Sequence, residues 1–314
     1  MLKKVLVAGV AALASAGVAA ADGHQVVDSI DFLIPGGAGG GWDGTARGTG
    51  EALTGAGLVG SATYENMSGG GGGVAIGHLI ENADSLHGTL MVNSTPIVIR
   101  SLQGVFPYNF SDLTMVAGTI GDYGALVAHP TSDIKTLDDL VAAYNADPSS
   151  IAVGGGSVPG GMDHLVAAMV MNAAGADATQ VAYLPYDAGG EATAALLSGE
   201  IEAMSTGFGE AKALAEQGEL NILCVTSNEG ETDFPACPSY FVNWRGFFAA
   251  PGTPAETVAA YQTALAAMYA TPEWEAVRDR NGWVEIYNEG DDFVAFLEDQ
   301  EQVIGDLMRS LGFL

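Results

Sequence analysis

The sequence predicts an α/β fold of two lobes, each a doubly wound, mainly parallel sheet with helices on both faces. Three observations carry this prediction. Short apolar runs alternate with helical patterns along most of the chain. A glycine-rich or small polar turn follows nearly every apolar run. The apolar run from Leu113 to His129 is long and contains glycines, which suits a strand that crosses between lobes.

The elements follow from these patterns in chain order. A buried strand at 30–34 leads through a glycine-rich loop into a helix at 43–53, with Asp43 as its N-cap. Further strands are predicted at 62–65, 89–93, 113–129, 151–153, 180–184, 201–204, 221–226 and 247–250. Further helices are predicted at 74–82, 137–145, 162–174, after 190 to 197, after 207 to 217, and at 255–269, 272–280 and 291–311.

The polypeptide is expected to cross between the two lobes twice. The crossings are predicted near Gly121–Gly124 and near Asn243–Gly246, where they should act as hinges. Residues 22–123 and 247–314 would then form the first lobe and residues 124–246 the second, with a ligand cleft between them. In parallel sheets ligands bind beyond the carboxyl ends of the strands, and the glycine-rich turns are predicted to lie there.

The N-terminus is typical of an export signal. Lys3 and Lys4 precede an apolar, alanine-rich run at 5–18, and residues 19–21 are small, as a cleavage site requires. This run is too short to span a bilayer, and no later run approaches about 18 apolar residues. We therefore expect residues 1–21 to be a cleaved signal peptide and the mature protein to act outside the cytoplasm without inserting into a membrane.

The first glycine-rich loop has three interpretations. Backbone N–H groups and a helix N-terminus at Gly37–Asp43 suit a small anion. Gly39–Gly44 also matches G-x-G-x-x-G, and Glu65 lies at the spacing of a ribose-binding acid, so a dinucleotide enzyme is a rival. A plain strand-to-helix turn is the third interpretation. Export argues against the dinucleotide, because nicotinamide cofactors are not normally available outside the cytoplasm.

The chain is strongly acidic, with a formal net charge of −28. Such a surface repels phosphates, which excludes nucleic acids and anionic membranes as partners. The negative charge has two interpretations. It keeps the protein soluble, or it reflects a saline habitat, where salt screens the repulsion between the protein's own charges. An anionic ligand must then be held by local N–H groups and a few cations. The basic residues after the signal are Arg47, Arg100, Lys135, Lys212, Arg245, Arg278, Arg280 and Arg309.

The sequence shows no catalytic or metal-binding motif. It contains no G-x-S-x-G, H-E-x-x-H or P-loop pattern, and its histidines lack ligand spacing, so no catalytic residue, metal or cofactor is predicted. His164 either caps and packs near its turn or donates to a ligand. Tyr186 lies either in the core or at the apex of a loop, where its hydroxyl would stay in contact with water.

The two cysteines allow two interpretations. In an exported chain Cys224 and Cys237 are expected to form a disulfide. The alternative is that Cys224 is a small buried residue in its strand.

Several segments together resemble the extracytoplasmic solute-binding proteins of tripartite tricarboxylate transporters, which include the Bordetella-type uptake receptors. The resemblance covers nearly the whole mature chain in the right order. Its segments are PGGAGGGWDGTAR at 35–47, YENMSGGGGG at 64–73, GGGSVPGGMDHL at 154–165, YLPYDAGGEATAALL at 183–197, GEIEA at 199–203, STGFGE at 205–210, LNILCVTS at 220–227 and GFFAAPGTP at 246–254.

The resemblance implies a type II periplasmic-binding-protein fold that closes on a carboxylate without chemistry. It implies a monomer in the periplasm that delivers a citrate-like di- or tricarboxylate to the membrane subunits of the transporter. Backbone amides and ordered waters would hold the ligand. The implied binding residues, with the small polar residues that follow the second and third strands, are Gly37, Ala38, Gly39, Gly40, Gly41, Trp42, Asp43, Ser68, Ser94, Thr95, Ser157, Met162, Asp163, His164, Tyr186, Asp187, Gly189, Ser205 and Thr206.

Two departures from the family pattern bear on the ligand. Met67 and Ser68 stand where many relatives have a proline after the asparagine of the second loop, and Asp187 stands where many have a basic or small residue. An extra carboxylate near an anion site argues against the most highly charged ligands, or implies a cation or amine nearby. The alternative function is an exported α/β enzyme acting on a small carboxylate.

Overall fold

The computed structural model describes residues 25–177 and 181–314 and confirms the α/β fold. The predicted signal peptide and residue 180 lie outside the described residues. The strands are β1 Val27–Ile34, β2 Val59–Asn66, β3 Thr89–Ser94, β4 Thr114–Ala128, β5 Ala152–Gly155, β6 Ala182–Pro185, β7 Ala203–Gly207, β8 Asn221–Val225, β9 Val242–Ala249 and β10 Val284–Glu289. The helices are α1 Gly41–Gly55, α2 Gly73–Glu81, α3 Pro96–Leu102, α4 Leu137–Ala146, α5 Met162–Ala173, α6 Gly189–Ser198, α7 Phe208–Glu216, α8 Ala255–Met268, α9 Pro272–Asn281 and α10 Gly290–Ser310.

The strands form two groups that share β4. The first group has the order β2-β1-β3-β9-β4, with β10 also on β4, and the second has the order β4-β7-β5-β6, with β8 also on β4. Pairs among β1, β2 and β3 and among β5, β6 and β7 are parallel. The pairs made by β4 and β9 are antiparallel. Each lobe thus contains a set of parallel strands, and the antiparallel strands β4 and β9 lie between the two sets.

Strand β4 makes the first crossing between the groups. It pairs with β9 up to Tyr123 and with β7 from Gly124 onward. A Cβ on Gly121 would overlap Val242 and Ile286, so this glycine permits close packing. All of β9 pairs in the first group, and the expected boundary at 246/247 therefore falls inside a strand. The domain limits stay a proposal, which this pairing would refine by ending the second lobe before Val242.

The N-cap of helix α1 lies three residues earlier than predicted. Gly40 is its N-cap, and no side chain caps the helix. The predicted N-cap, Asp43, lies within the first turn instead. Its carboxylate accepts the Gly39 N–H at 3.1 Å and pairs with Arg47 Nε at 2.8 Å. The expectation of an Asp43 cap was wrong because the glycine-rich chain already reaches helical geometry at Gly41.

Two elements, α3 and β10, were not predicted from the sequence. Helix α3 has seven residues, too few to show a helical period, and begins with Pro96 at its first position. Strand β10 is half-exposed and pairs with β4 through an irregular register, so its sequence lacks a continuous apolar run. Helix α3 carries Arg100 in its last turn.

Apolar side chains fill both faces of the sheets. One cluster lies under α1, α8 and α9 and includes Trp274, while another continues from the first lobe into the second around α5 and α10. Cys224 in β8 and Cys237 in the following loop form a disulfide, with their Cα atoms 4.9 Å apart. None of the described helices combines the length and the apolar character needed to cross a membrane.

Candidate ligand-binding cleft

A cavity of about 130 Å³ lies where loops from both lobes meet, beyond the carboxyl ends of β1, β2, β3, β5 and β6. Most of the predicted site residues line it: Gly37, Gly40, Gly41, Trp42, Ser68, Ser94, Ser157, Met162, Asp163, Tyr186, Asp187 and Gly189. The others do not line it: Ala38, Gly39, Asp43, Thr95, His164, Ser205 and Thr206.

The first-lobe wall is built around Trp42. Its indole Nε1 donates to Ser94 Oγ at 2.8 Å, which ties the start of α1 to the end of β3. The ring packs against the backbone at Gly36 and Gly72, where an added Cβ would lie 2.9 and 3.4 Å from the indole. Because glycine has no side chain, these two turns leave room for the indole in the cavity wall.

The second-lobe wall is built around Tyr183 and Ser157. The Tyr183 hydroxyl donates to the Ser157 carbonyl at 2.8 Å, and Ser157 Oγ accepts the Asp163 N–H at 2.9 Å. His164 has a packing role: its Nδ1 accepts the Gly160 N–H at 3.0 Å and its ring stacks on Tyr183. The hydroxyl of Tyr186 donates to Glu200 at the wet edge of its loop.

Contacts across the cavity show that the two lobes are closed on each other. The Ser68 hydroxyl donates to the Asp187 carboxylate. Gln103 Nε2 donates to the Gly160 carbonyl at 2.9 Å. A Cβ on Gly40 would lie 3.3 Å from the Ala188 Cβ, so the first loop nearly touches the loop after β6. These contacts join loops from opposite walls of the same cavity.

A buried ion pair anchors the cavity next to α1. Arg245 is 2 % exposed, and its Nη2 lies 2.6 Å from Asp122 Oδ2. Its Nη1 donates to the Gly41 carbonyl at 2.8 Å and to Thr45 Oγ1 at 2.9 Å. The Gly209 N–H donates to the other oxygen of Asp122 at 3.0 Å. Arg245 is therefore engaged by the protein itself.

Two more carboxylates face this part of the cavity. Burial and the nearby charge of Glu210 raise the pKa of Asp163 to about 8, although Gly156 and Ser157 donate to its carboxylate. Burial raises the pKa of Glu210 to about 7, against the opposing effect of Arg245. Glu210 accepts the Thr206 hydroxyl at 2.9 Å, which accounts for Thr206 near the cavity but outside its lining.

Arg100 lies in another part of the wall. Its Nη1 donates to Gln103 Oε1 at 2.8 Å, and its buried Nε has no hydrogen-bond partner. Within the described part of the chain, no acidic side chain forms an ion pair with Arg100. Burial lowers the pKa of this guanidinium, but it stays charged at neutral pH. Arg100 is thus a cation in the cavity without a carboxylate partner.

Sequence reasoning missed four polar residues of the lining: Arg100, Glu210, Asn243 and Arg245. The two arginines stood out only as members of a short set of basic residues. Glu210 follows the end of the predicted strand at 201–204 by six residues, at the start of the predicted helix, a signal that the turn-based search could have used. Glu65, the ribose-binding candidate, is exposed and does not line the cavity, which weakens the dinucleotide interpretation. No cluster of metal-ligating side chains occurs among the residues that the structure describes.

Comparison with known proteins decides the family. The model of the tripartite tricarboxylate transporter family receptors, TctC, matches residues 54–313. The chain belongs to this family. The receptor is also 25 % identical over 236 residues to a UPF0065 protein of Bordetella pertussis, covering 71 % of this chain and 67 % of that protein.

Two solved structures share the fold of this chain. MatC from Rhodopseudomonas palustris with bound malate superposes with a TM-score of 0.77 and 19 % identity, covering 90 % of this chain and 99 % of that one. An R. palustris protein with adipate superposes with a TM-score of 0.81 and 19 % identity, covering 91 % and 97 %. At these identities the likeness shows the two-lobed fold.

Proposed function

We propose that this protein is a periplasmic receptor that captures a small carboxylate between its lobes and delivers it to the membrane subunits of a tripartite tricarboxylate transporter. The observation that carries the proposal is the cavity between the lobes, in which Arg100 lies without an acidic partner. A guanidinium in a partly dry site binds a carboxylate by charge-assisted hydrogen bonds. Ser68 and backbone groups of the glycine loops would complete the contacts.

Membership of the family supports this role, and two neighbours with the same fold contain malate and adipate. The citrate-like ligand expected from the sequence fits the cavity less well than a smaller acid. The cavity of about 130 Å³ is smaller than the cavity of about 150 Å³ that holds one benzene molecule in an engineered protein. In the closed form the cavity suits an acid more compact than citrate.

The site residues and the monomeric state remain predictions. So do removal of residues 1–21 and delivery to the transporter. The exported enzyme stays as the alternative, because acids with raised pKa values in a cleft are also a mark of catalytic sites. A receptor releases its ligand unchanged, whereas an enzyme converts it. Mass spectrometry of the carboxylate after prolonged incubation separates the two.

Isothermal calorimetry against a panel of small mono-, di- and tricarboxylates tests the proposal. We expect saturable binding of at least one acid at one site per chain, and a raised melting temperature through mass action. Small-angle scattering should then show a more compact protein with ligand than without. If no carboxylate binds, the receptor proposal fails. Uptake of the bound acid by vesicles that contain the transporter subunits, dependent on added receptor, tests delivery.

A further inference from the structure

The cavity carries opposite charges on two parts of its wall. On the Arg100 side, a Cβ on Gly71 would lie 3.2 Å from Val158 and 3.3 Å from Arg100 Nε, so this guanidinium borders loops of both lobes. On the Glu210 side, the neighbours are Gly41, Gly189 and Arg245. A ligand that fills the cavity therefore meets a free cation on one side and a carboxylate on the other.

Glu210 occupies the position that an anion would take beside two helix N-termini. Its carboxylate faces Gly41, the first residue of α1, where an added Cβ would lie 2.8 Å from Oε1, and the Gly41 backbone N–H lowers the pKa of Glu210. It also lies against Gly189, the first residue of α6, where an added Cβ would overlap Oε2. Helix N-termini favour negative charge, and here the protein supplies that charge from α7. A protein carboxylate thus already faces the start of α1 and the start of α6.

The charges around Glu210 do not leave a cation for a second anion. Arg245 is bound at 2.6 Å to Asp122, whereas its Nη2 lies 3.9 Å from Glu210 Oε1. Asp163 is only 7 % exposed and adds a further carboxylate near Glu210. A ligand carboxylate placed here would face like charge in a site with little water. A ligand N–H or O–H would instead find an acceptor.

We infer that Glu210 determines ligand specificity by selecting a small acid with one carboxylate, held by Arg100, and a neutral or cationic hydrogen-bond donor at its other end. This inference rests on the proposed function and narrows its substrate class. Hydroxy, amide and amino acids of compact size have this chemistry, and dicarboxylates of the same length do not. The discrimination combines a contact with the preferred ligand and repulsion of its competitor.

Matched pairs of ligands test the inference directly. Malonate, succinate, glutarate and adipate are each titrated beside the corresponding monoamide, which has the same length and one fewer charge. The titrations are run at about pH 8, above the pKa of about 7 of Glu210. For the chain length that fits, we expect the monoamide to bind at least about tenfold more tightly than the dicarboxylate.

Glu210→Gln keeps the shape of the side chain and removes its charge. In this variant we expect the ratio of the two affinities to shift by at least about tenfold towards the dicarboxylate. Glu216→Gln is the matched control, because Glu216 lies on the same helix, is exposed and contacts only Lys212 at 3.7 Å. The control should leave the ratio unchanged. Circular dichroism of each variant verifies that it is folded.

The outcomes separate the inference from the proposed function. If no carboxylate of the broad panel binds, the proposed function fails and takes the inference with it. If carboxylates bind but the dicarboxylate of each pair is the tighter ligand, the inference alone is overturned. A preference for the monoamide that Glu210→Gln leaves intact also overturns it, as does binding of dicarboxylates without any hydroxy acid, amino acid or monoamide.

Discussion

Two arginines line the same cavity and differ in almost every other respect. Arg245 comes from β9, is buried, and uses both terminal nitrogens on Asp122, Gly41 and Thr45. Arg100 comes from the short helix α3, and within the described part of the chain its one hydrogen bond joins Nη1 to Gln103. The Nε atoms of both arginines lack a partner there, so the terminal nitrogens make the difference. The first arginine holds the strand and helix ends together. The second offers its charge to whatever enters the cavity.

The difference teaches that a cation in a cleft is available to a ligand only when the protein has not already used it. A search that looks only for basic residues in the cavity lining would rank Arg100 and Arg245 equally as ligand contacts. Their hydrogen bonds assign Arg245 to stability and Arg100 to binding. The predictions below test this division, from the largest effect to the smallest.

Arg245→Gln should be the most destabilising of these changes. It leaves Asp122 buried without its counter-charge, which costs about 3–5 kcal/mol in the free energy of unfolding. Denaturant unfolding measures the loss. Arg309→Gln is the control, since Arg309 is exposed and pairs only with Asp306 within its own helix, and it should stay within about 0.5 kcal/mol of the parent. Equal effects of the two changes would refute the structural role of Arg245.

Gly40→Val should abolish binding while the fold persists. Gly40 has φ −85° and ψ 170°, an ordinary extended conformation, so the substitution causes no backbone strain. The added methyl groups would instead meet Ala188 and hold the lobes apart. We expect an affinity loss of about 100-fold, or about 2.7 kcal/mol, by calorimetry. Gly44→Val is the control, because a Cβ there meets nothing within 4 Å. Unchanged affinity in folded Gly40→Val protein would place the ligand elsewhere.

Stability should fall as the pH rises from about 5 to about 7. The pKa values of Glu210 and Asp163 are raised to about 7 and about 8, so the folded protein binds more protons than the unfolded chain in this range. Each group can lower the free energy of unfolding by up to about 1.4 kcal/mol per pH unit. Arg245 opposes the rise in the pKa of Glu210 and Asp122 adds to it. We expect a loss of about 2 kcal/mol in the free energy of unfolding in total.

Glu210→Gln should flatten this pH dependence by removing one of the two groups. Denaturant unfolding across the range, in parent and variant, measures both slopes. A stability that rises between about pH 5 and pH 7 would contradict the account, because it would mean that the folded state favours the ionised acids.

Arg100→Gln should have the smallest effect on stability. It removes one hydrogen bond to Gln103 and relieves the desolvation of an unpaired guanidinium, so we expect a change of less than about 1 kcal/mol in either direction. Thermal unfolding without ligand measures it. A loss as large as that of Arg245→Gln would show that Arg100 is a structural residue.

The fold and the glycine loops of the site could be predicted from the sequence because they depend on local patterns. Alternating apolar runs and helical segments fix the α/β class, and glycine-rich turns mark strand ends whatever lies across the cleft. The resemblance to the family, and not these patterns alone, gave Trp42 and Ser157 as lining residues. The N-cap of α1 was misplaced by three residues because glycines carry no side-chain pattern.

The charges of the site could not be predicted, because they depend on contacts between distant segments. Arg100 lies in a helix too short for periodicity, and whether an acid pairs with it is visible only in three dimensions. Glu210 follows β7 along the chain, but its carboxylate reaches the first turn of α1 in the other lobe. His164 had a polar side chain beside a glycine loop, yet its Nδ1 closes that loop and its ring packs on Tyr183.

The most direct test of the account is a thermodynamic cycle between Arg100 and the ligand carboxylate. The best-binding acid and its amide are each titrated into the parent and into Arg100→Gln, and the four affinities give the coupling energy. We predict a coupling of at least about 1.5 kcal/mol, because the guanidinium and the carboxylate meet in a site with little water. A coupling near zero, with both proteins folded, would show that Arg100 does not hold the ligand carboxylate and would contradict the account.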